Sequence, residues 1–481
     1  MTATRMFVGG EWVDAVEGEV AEASSPATGE SLGAVALGTR EDARRAVAAA
    51  RAAFEGWAGE TAFARADKLR RIAEVCERRR EDLARALTLD QGKPLHAEAY
   101  DEVDELVAMF RGAAEDGIRL EGTIPPSATP DRRVLLMRRP KGVVAVVTPW
   151  NWPYTMPAEI VAPALAAGNT VAWTPAPSTA VCSGLLAECV AEADLPPGVF
   201  NFVLGPGPEV GDELVGHPEV AAVGFIGSTA TGLHIARRAA GKTLLLEMGG
   251  NGPLVVLDDA DLDAAAEAAV TACFLCAGQS CTAGEVLLVD ERVHDDFAQR
   301  LVSLVESQVR LGDPFAQETT MGPLNNDGVA RKMDDHVADA RERGASPVAG
   351  GGRADGFPTD LYWEATVLTD VPPDATAATE ETFGPIAPIV RVGSVEEAVA
   401  FTNRSDYGLL SAIFTGDLYK GLAFADRVRT GLVNINETTN YWENHLPFGG
   451  RAGSTSGIGR VGGRYAMESL TELQTVVIGP A

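Results

Sequence analysis

The chain has 481 residues, of which 46% are hydrophobic and 22% charged, as expected for a globular protein of two or three domains. Acidic residues outnumber basic ones by 68 to 40, and the net charge of −28 argues against binding to nucleic acid or to an anionic membrane surface. No run of roughly 18 apolar residues occurs, so we expect no transmembrane helix.

The six cysteines are expected to be free thiols, because the chain is long and shows no signal peptide. This favours a cytoplasmic location. Cys273 and Cys276 have the spacing of a redox or zinc pair, but no second such pair and no nearby histidine accompanies them. We interpret both as core residues of a helix and predict no metal site.

Short strands and turns are predicted over 6–38, and amphipathic helices follow from Arg40 to Gly117. Residues 118–139 contain three prolines and then a β-prone stretch, which indicates an excursion from the domain.

From residue 141 the pattern alternates between strands and helices. The run GVVAVVT at 142–148 is continuously apolar, as in a strand buried on both faces of a parallel sheet. Further strands are predicted at 170–173, 199–203 and 221–226, with helices at 158–167, 179–193 and 208–215 between them. The alternation predicts a doubly wound α/β domain.

A second α/β region begins after residue 246 and extends to about 444. Its predicted strands are 254–257 and 286–289, and its predicted helices are 261–277 and 295–309. The tail at 471–478 alternates like a strand.

A cysteine in a short polar turn is the first candidate for chemistry. Cys281 lies in FLCAGQSCTAG at 274–284, between a predicted helix and a predicted strand, where small neighbours leave the sulfur accessible. Glu247 precedes it by 34 residues. We interpret Cys281 as a nucleophile and Glu247 as its partner base.

Two other turns follow predicted strands. FIGSTATG at 225–232 opens a helix whose first N–H groups suit a phosphate, although a plain strand-to-helix turn is the alternative and the GxGxxG fingerprint is absent. Asn151 in PWNWP follows the strand at 142–148. Its amide can donate to a developing oxyanion, or it can cap the next helix.

Taken together, these motifs resemble the aldehyde dehydrogenase superfamily over nearly the whole chain. The motifs occur in the family's order: PWNWP, FIGSTATG, LEMGG with Glu247, GQSC with Cys281, EETFGP at 380–385 and PFGG at 447–450. The resemblance implies an α/β fold with a Rossmann-like cofactor domain, a catalytic α/β domain and a small β oligomerisation arm. We assign these to 1–117 with 140–246, to 247–450, and to 118–139 with 465–481, and expect a homodimer or homotetramer.

The resemblance also implies roles for individual residues. Cys281 matches the nucleophile, Asn151 the oxyanion amide and Glu247 the general base. The cofactor is NAD or NADP, with Glu381 at the nicotinamide ribose. The residues expected to contact the cofactor are Thr148, Pro149, Trp150, Thr174, Gly207, Gly227, Ser228, Glu381 and Phe383.

The adenosine end departs from the family pattern. Thr174 stands where many members have a lysine, and Pro177 stands where NAD-preferring members often have a glutamate. Loss of the lysine removes an attraction for the 2′-phosphate of NADP, whereas loss of the glutamate removes a repulsion. We lean slightly to NAD, because the next basic residues are as distant as Lys141 and Arg237.

By position in the family, the substrate tunnel is expected to be lined by Trp152, Tyr154, Met156, Thr282 and Trp442. Aromatic walls favour an apolar or aromatic aldehyde, and a quaternary ammonium aldehyde of the betaine type is the alternative. Glu159-Ile160 also departs from the pattern, since many members have a lysine beside this point.

The expected reaction is attack of the Cys281 thiolate on the aldehyde, hydride transfer to the nicotinamide, and hydrolysis of the thioester with help from Glu247. Three alternatives stay open. A CoA-acylating relative would generally lack a glutamate at position 247. A Cys–His hydrolase finds no supporting motif among the six histidines. A non-catalytic binding protein of the same fold would not need the three catalytic residues.

Overall fold

The computed structural model describes residues 3–480. Its strands are β1 (Met6–Val8), β2 (Glu11–Val13), β3 (Val20–Ser24), β4 (Ser31–Ala36), β5 (Arg133–Pro140), β6 (Val143–Val147), β7 (Thr170–Thr174), β8 (Phe200–Phe202), β9 (Val220–Ile226), β10 (Thr243–Glu247), β11 (Pro253–Val256), β12 (Val286–Asp290), β13 (Ser346–Ala349), β14 (Thr366–Thr369), β15 (Ile386–Val392), β16 (Leu410–Phe414), β17 (Leu432–Ile435), β18 (Gly457–Ile458) and β19 (Thr471–Ile478).

The helices alternate with these strands through most of the chain. They are α1 (Arg40–Gly59), α2 (Ala62–Arg78), α3 (Arg80–Gln91), α4 (Tyr100–Gly117), α5 (Thr155–Ala166), α6 (Ala180–Glu192), α7 (Asp212–Gly216), α8 (Thr229–Arg238), α9 (Leu262–Phe274), α10 (His294–Gln308), α11 (Asp327–Glu342), α12 (Thr376–Thr379), α13 (Val395–Arg404), α14 (Leu418–Arg427) and α15 (Gly463–Ser469). Among these described helices, none is both long and apolar enough to cross a membrane.

The first sheet has eight strands in the order β18-β10-β9-β6-β7-β8-β1-β2. Its centre is parallel, from β10 through β9, β6 and β7 to β8. Strand β6 is almost wholly buried, which explains its unbroken apolar sequence. Helices α1 and α5 pack on the central strands. The predicted doubly wound α/β region is confirmed.

The second sheet has seven strands in the order β13-β14-β15-β12-β11-β16-β17. All its pairs are parallel except that of β13 with β14. It has its own hydrophobic core, separate from that of the first sheet. The two sheets therefore correspond to two packing units, and the site lies where their loops meet.

The two segments predicted to form an arm pair with each other. Strands β5 and β19 make a two-stranded antiparallel ribbon, with eight residue pairs from Arg133–Ile478 to Pro140–Thr471. Helix α15 precedes β19 and packs on α4 and α5, and its Ala466 and Met467 are buried in the first core. Residues 465–470, which the prediction gave to the arm, therefore belong by packing to the first core. Residues 1, 2 and 481 lie outside the described range.

Candidate active site

Two cavities meet at the predicted nucleophile. One, of about 270 Å³, is lined by residues that follow β6, β9 and β10 and by the loop at 381–383. The other, of about 150 Å³, lies among α4, α5 and the segment 440–448. Cys281 and Glu247 line both cavities. The sulfur and the carboxyl group therefore stand where a ligand in one cavity can meet a ligand in the other.

The loop that carries Cys281 has an unusual backbone. Helix α9 ends at Phe274, and Cys276, Ala277 and Gly278 follow with φ values of 55°, 53° and 70°. The prediction of a helix to residue 277, with Cys276 on it, is wrong. Left-handed conformations at non-glycine residues cost free energy, so surrounding contacts must hold this turn in place.

Those contacts come from several parts of the chain. Glu98 accepts the N–H of Cys276 at 3.1 Å. The Gln279 side chain donates to the Cys276 carbonyl at 2.9 Å and accepts the N–H of Asn325 at 2.9 Å. Sequence analysis missed Glu98, Gln279 and Asn325 in this role, because buried polar residues that orient a loop carry no motif of their own.

The Cys281 side chain is only partly exposed. Burial raises the pKa of its thiol, and the carboxylates of Glu159, Glu381 and Glu247 raise it further. The thiol of the ligand-free protein is therefore protonated near neutral pH, and forming the thiolate requires a base or a positive charge nearby.

Glu247 ends β10 and is 4% exposed. Neither of its carboxyl oxygens has a hydrogen-bond partner within residues 3–480. Burial, and then the charge of Glu159, raise its pKa well above the usual range for a glutamate. A Cβ at Gly449 would lie 2.5 Å from Oε1 of Glu247, so the glycine of PFGG leaves room for this carboxyl group.

Asn151 is buried beside the same loop, and its Nδ2 donates to the Gln279 carbonyl at 3.0 Å. That bond uses one of the two N–H groups of the amide. The alternative role as a helix cap is wrong, because α5 begins at Thr155 after Tyr154 and has no side-chain cap. The amide is instead fixed against the loop of Cys281.

The first cavity has features that suit a dinucleotide. Pro149, Trp150, Gly227, Ser228, Glu381 and Phe383, all predicted cofactor residues, line it. Ser228 lines the cavity and caps the N-terminus of α8, where its Oγ accepts the N–H of Thr231, so this helix begins at the cavity wall. Residue 227 is a glycine with φ of +156°, so no side chain projects from the backbone at this point. The residues present therefore fit a phosphate-bearing cofactor.

The loop with Glu381 and Phe383 is held by the second unit. Glu285 is buried and accepts the N–H groups of Thr382 and Phe383 at 2.8 and 3.0 Å. Phe383 has φ of +61°, and its ring meets Trp150 edge-on at 5.6 Å. Glu381 accepts the N–H of Gly250 at 2.9 Å. These contacts place both side chains at the cavity wall.

Three predicted cofactor residues lie outside the lining of this cavity. The Thr148 hydroxyl accepts Nε1 of Trp173 at 2.8 Å, and Thr174 is 2% exposed with its hydroxyl turned inward. Gly207 begins a short π-helical turn, Gly207–Gly211, after β8. Lys332 of α11 lines the cavity instead and was missed, because a lone lysine on a helix gives no signal in the sequence.

The second cavity contains four of the five predicted substrate residues: Trp152, Met156, Thr282 and Trp442. Tyr154 does not line it. The Tyr154 side chain is fully buried, and its hydroxyl donates to the Leu83 carbonyl at 2.9 Å, so it is a core residue. Sequence analysis missed Glu105 and Phe448 as lining residues, and left the part of Glu159 open.

Comparisons with known proteins show which family the chain is similar to. The model of the "Aldehyde dehydrogenase family" matches residues 12–476. A 3-sulfolactaldehyde dehydrogenase from Pseudomonas putida is 38% identical, over 98% of this chain and 96% of its own. An NADP(+) succinate-semialdehyde dehydrogenase from Escherichia coli is 38% identical, over 98% and 97%. The structure of a betaine aldehyde dehydrogenase from Staphylococcus aureus in complex with NAD+ has a TM-score of 0.95 at 35% identity, covering 99% of this chain and 95% of that one.

The fold, the two cavities and these relatives define an NAD(P)-dependent oxidoreductase. The chain belongs to the aldehyde dehydrogenase family: it oxidises aldehydes, and its cofactor is NAD or NADP. The resemblance stated from the sequence motifs is confirmed.

Proposed function

We propose that this enzyme converts its aldehyde to the carboxylate through a thiohemiacetal and then a thioester on Cys281, with hydrolysis assisted by Glu247. The observation that carries the proposal is the position of Cys281, whose side chain lines both the dinucleotide cavity and the smaller cavity. A carbonyl carbon bonded to the sulfur would face both ligands at once.

In the first step, Glu247 takes the proton of the Cys281 thiol and releases it to solvent, while the sulfur bonds to the carbonyl carbon and the carbonyl oxygen becomes an oxyanion. The free N–H of the Asn151 amide and the backbone N–H of Cys281 stabilise this oxyanion. Neither N–H group has another acceptor among the described residues. When bound in the larger cavity, the cofactor accepts the hydride that the carbonyl carbon releases.

The second half of the reaction is hydrolysis of the thioester. Glu247 takes a proton from a water molecule, whose oxygen bonds to the acyl carbon as the carbon–sulfur bond breaks. Glu247 passes this proton to the departing sulfur, which becomes a thiol again, and the acid product loses its proton to solvent and leaves as the carboxylate. Burial supports this role, because a glutamate whose pKa is raised toward neutrality accepts a proton more readily than an exposed one does.

For the cofactor we propose a preference for NAD. The basic side chain that contacts the loop at Gly207 is Arg40, whose guanidinium donates to the Pro208 carbonyl at 2.9 Å. Arg40 is also paired with Asp212 and Glu213. Both carboxylates are shared with Arg44 and Arg238, so this cluster does not itself exclude a 2′-phosphate. The proposed preference rests on Thr174, which offers no positive charge to a 2′-phosphate.

For the substrate we propose an aldehyde with an apolar, aromatic or quaternary ammonium body. Trp152, Trp442 and Phe448 line the smaller cavity, and aromatic faces bind apolar groups and ammonium groups alike. Transfer of the acyl group to CoA is the less favoured route, because Glu247 is present and unpaired beside the sulfur. The presence of Glu247 beside Cys281 also argues against a non-catalytic binding protein of the same fold.

We propose a homodimer or homotetramer that assembles through the ribbon of β5 and β19. Leu473, Val477 and Ile478 are exposed on β19, which an assembly would cover. Light scattering of the purified protein measures this state directly. The six free thiols support a reducing compartment such as the cytoplasm.

The test of the proposed function is the formation of reduced nicotinamide from NAD+ and from NADP+ with a panel of aldehydes. The panel contains aromatic, aliphatic, ammonium-bearing and carboxylate-bearing aldehydes. We expect turnover with wild type, none with Cys281→Ala, and a higher kcat/KM with NAD+. Turnover that survives in Cys281→Ala would refute the proposed nucleophile.

A further inference from the structure

The smaller cavity has charged groups of one sign only. Its charged lining residues are Glu105, Glu159 and Glu247, and neither lysine nor arginine lines it. An adjoining cavity shares Met109, Glu159, Trp442 and Asn444 with it and adds Asp116 and His445. We call these two cavities together the entry channel. Within residues 3–480, the way to Cys281 from this side is therefore lined by carboxyl groups.

This arrangement follows from two helices that pack against each other. Glu105, Met109, Gly112 and Asp116 recur at helical spacing along one face of α4, and all four line the channel. Glu159 lies on α5, which packs on α4. The next residue, Ile160, is fully buried and points into the core. It packs so closely on Gly224 that a Cβ added there would lie 2.4 Å from the Ile160 side chain. Residue 159 therefore carries the charge on this face.

The polar groups of the channel lack partners. Glu105 and Glu159 form no ion pair and no side-chain hydrogen bond in the described part of the chain. Glu247 is more than nine-tenths buried and also unpartnered. Asn440 donates its amide to the Thr271 carbonyl at 2.9 Å, which leaves its buried side-chain oxygen free as an acceptor. A ligand that fills this channel meets acceptors and carboxyl groups, and no cation among the described residues lines it. Two cations lie close by and are engaged elsewhere: Lys93 is paired with Glu102 and lies over the ring of Trp152, and Arg460 donates to the Gly450 carbonyl.

We propose that the substrate is a short aldehyde that carries an ammonium group, with the cation held between Glu105 and Glu159 and against Trp442. The ring of Trp152 already has the Lys93 ammonium 3.9 Å from its centroid. This assignment rests on the proposed function and specifies its substrate class. Carboxylates with aromatic faces beside them are a site for a cation, because both attract positive charge. The cavity of about 150 Å³ restricts the chain between the carbonyl carbon and the nitrogen to a few atoms.

A cation in the channel would also assist the chemistry. Glu159 is the largest charged contribution to the raised pKa of the Cys281 thiol. Burial raises the pKa of Glu159 to about 8, so its carboxyl group ionises readily once a cation is beside it. The ammonium group then offsets the negative potential at the sulfur. A carboxylate-bearing semialdehyde gains no such attraction and opposes ionisation of Glu159.

The test compares aldehydes of matched shape. Trimethylammonio-acetaldehyde and 3,3-dimethylbutanal differ in one atom, the quaternary nitrogen or carbon, and 3-aminopropanal and butanal form a second pair with a primary ammonium. The readout is the ratio of kcat/KM between cation and neutral analogue. For at least one pair we expect a ratio of roughly tenfold or more, since each factor of ten corresponds to about 1.4 kcal/mol. Succinic semialdehyde is expected to be the poorest substrate.

In Glu105→Gln/Glu159→Gln we expect this ratio to fall toward one, because both carboxylates are gone while the shape of the channel is kept. The control is Glu22→Gln/Glu30→Gln, which removes the same two charges from exposed positions on the β3–β4 hairpin. It should keep the ratio of wild type.

The possible results distinguish the inference about an ammonium-bearing substrate from the proposed function through Cys281. If the neutral analogues or succinic semialdehyde match the ammonium aldehydes, the inference about the cation is wrong and the enzyme is still an aldehyde dehydrogenase acting through Cys281. An unchanged ratio in the channel variant would overturn the inference in the same way. If neither pair is oxidised while another aldehyde of the wider panel is, the inference about the cation fails alone. If no aldehyde of that panel is oxidised with either cofactor, the proposed function itself fails.

Discussion

The substitution Gly278→Ala tests whether the site depends on the close contact between its two catalytic loops. Gly278 lies in the loop of Cys281 with φ of +70°, and a Cβ there would lie 2.1 Å from the Gly384 carbonyl oxygen and 2.8 Å from the nitrogen of Pro385. All of these neighbours are backbone atoms, so no side chain can move aside. The loop of Cys281 and the loop of Phe383 must separate.

The required separation is roughly 1 Å, and a misplacement of that size costs about 100-fold in rate when it affects reacting groups. We therefore expect kcat for the best aldehyde to fall by about 100-fold. The left-handed backbone adds a stability loss on the order of 1–3 kcal/mol.

The assay measures steady-state kinetics together with the thermal unfolding midpoint. The matched control is Gly18→Ala, where φ is also +70° but nothing lies within 4 Å of the added Cβ. It carries the backbone strain without the clash, so its kcat should stay within about twofold of wild type. Equal kcat in Gly278→Ala and Gly18→Ala would refute the claim that this contact sets the geometry of the site.

Three further predictions concern buried charges. Glu159→Gln removes a negative charge that raises the pKa of the Cys281 thiol, so iodoacetamide should alkylate Cys281 faster at a fixed pH; a slower rate would contradict this electrostatic assignment. The pKa of Glu159 is raised to about 8 in the folded state, so wild type loses stability as pH rises from the unfolded pKa toward about 8, and Glu159→Gln should gain in relative melting temperature across that window. Lys93→Met leaves Glu102 unpaired at a site where both side chains are 1% exposed, which should destabilise the protein by about 3–5 kcal/mol in denaturant unfolding, and Lys93→Met/Glu102→Gln should recover part of that loss.

Local sequence patterns predicted several strands closely, because burial on one or both faces leaves a pattern within a few residues, but β10 and the five strands β13 to β17 were not predicted. The run at 142–148 contains the observed strand Val143–Val147, and the alternating tail at 471–478 coincides with Thr471–Ile478. Each strand carries its own evidence, either as a continuous apolar run or as alternation. The fold class followed from the order of such segments.

Local sequence patterns did not predict the backbone conformation inside the site. The helical pattern before Cys281 continues through Cys276 and Ala277, yet both residues are left-handed. Glu98, distant in sequence, accepts the N–H of Cys276, and Asn325, also distant, binds the Gln279 side chain that donates to the Cys276 carbonyl. No property of the two residues themselves indicates that conformation. Tertiary contacts decide it.

Local sequence patterns also did not predict which residues line the substrate side of the site. Tyr154 and Glu159 lie five residues apart near the start of α5, and only their packing distinguishes them. The tyrosine turns into the core and binds the Leu83 carbonyl, whereas the glutamate lines the entry channel. The charge of the channel arises from α4 and α5 together, so neither segment reveals it alone.

The central claim is that Cys281 carries the acyl group and Glu247 assists its release. The most direct measurement is peptide mass spectrometry on Glu247→Gln after it is mixed with cofactor and an aldehyde substrate and quenched in acid. The account predicts that the peptide containing Cys281 gains the mass of the acyl group less one hydrogen, and that Cys281→Ala with the same substrate gains nothing. An acyl group on another cysteine, or reduced cofactor formed without any acylated peptide, would contradict it.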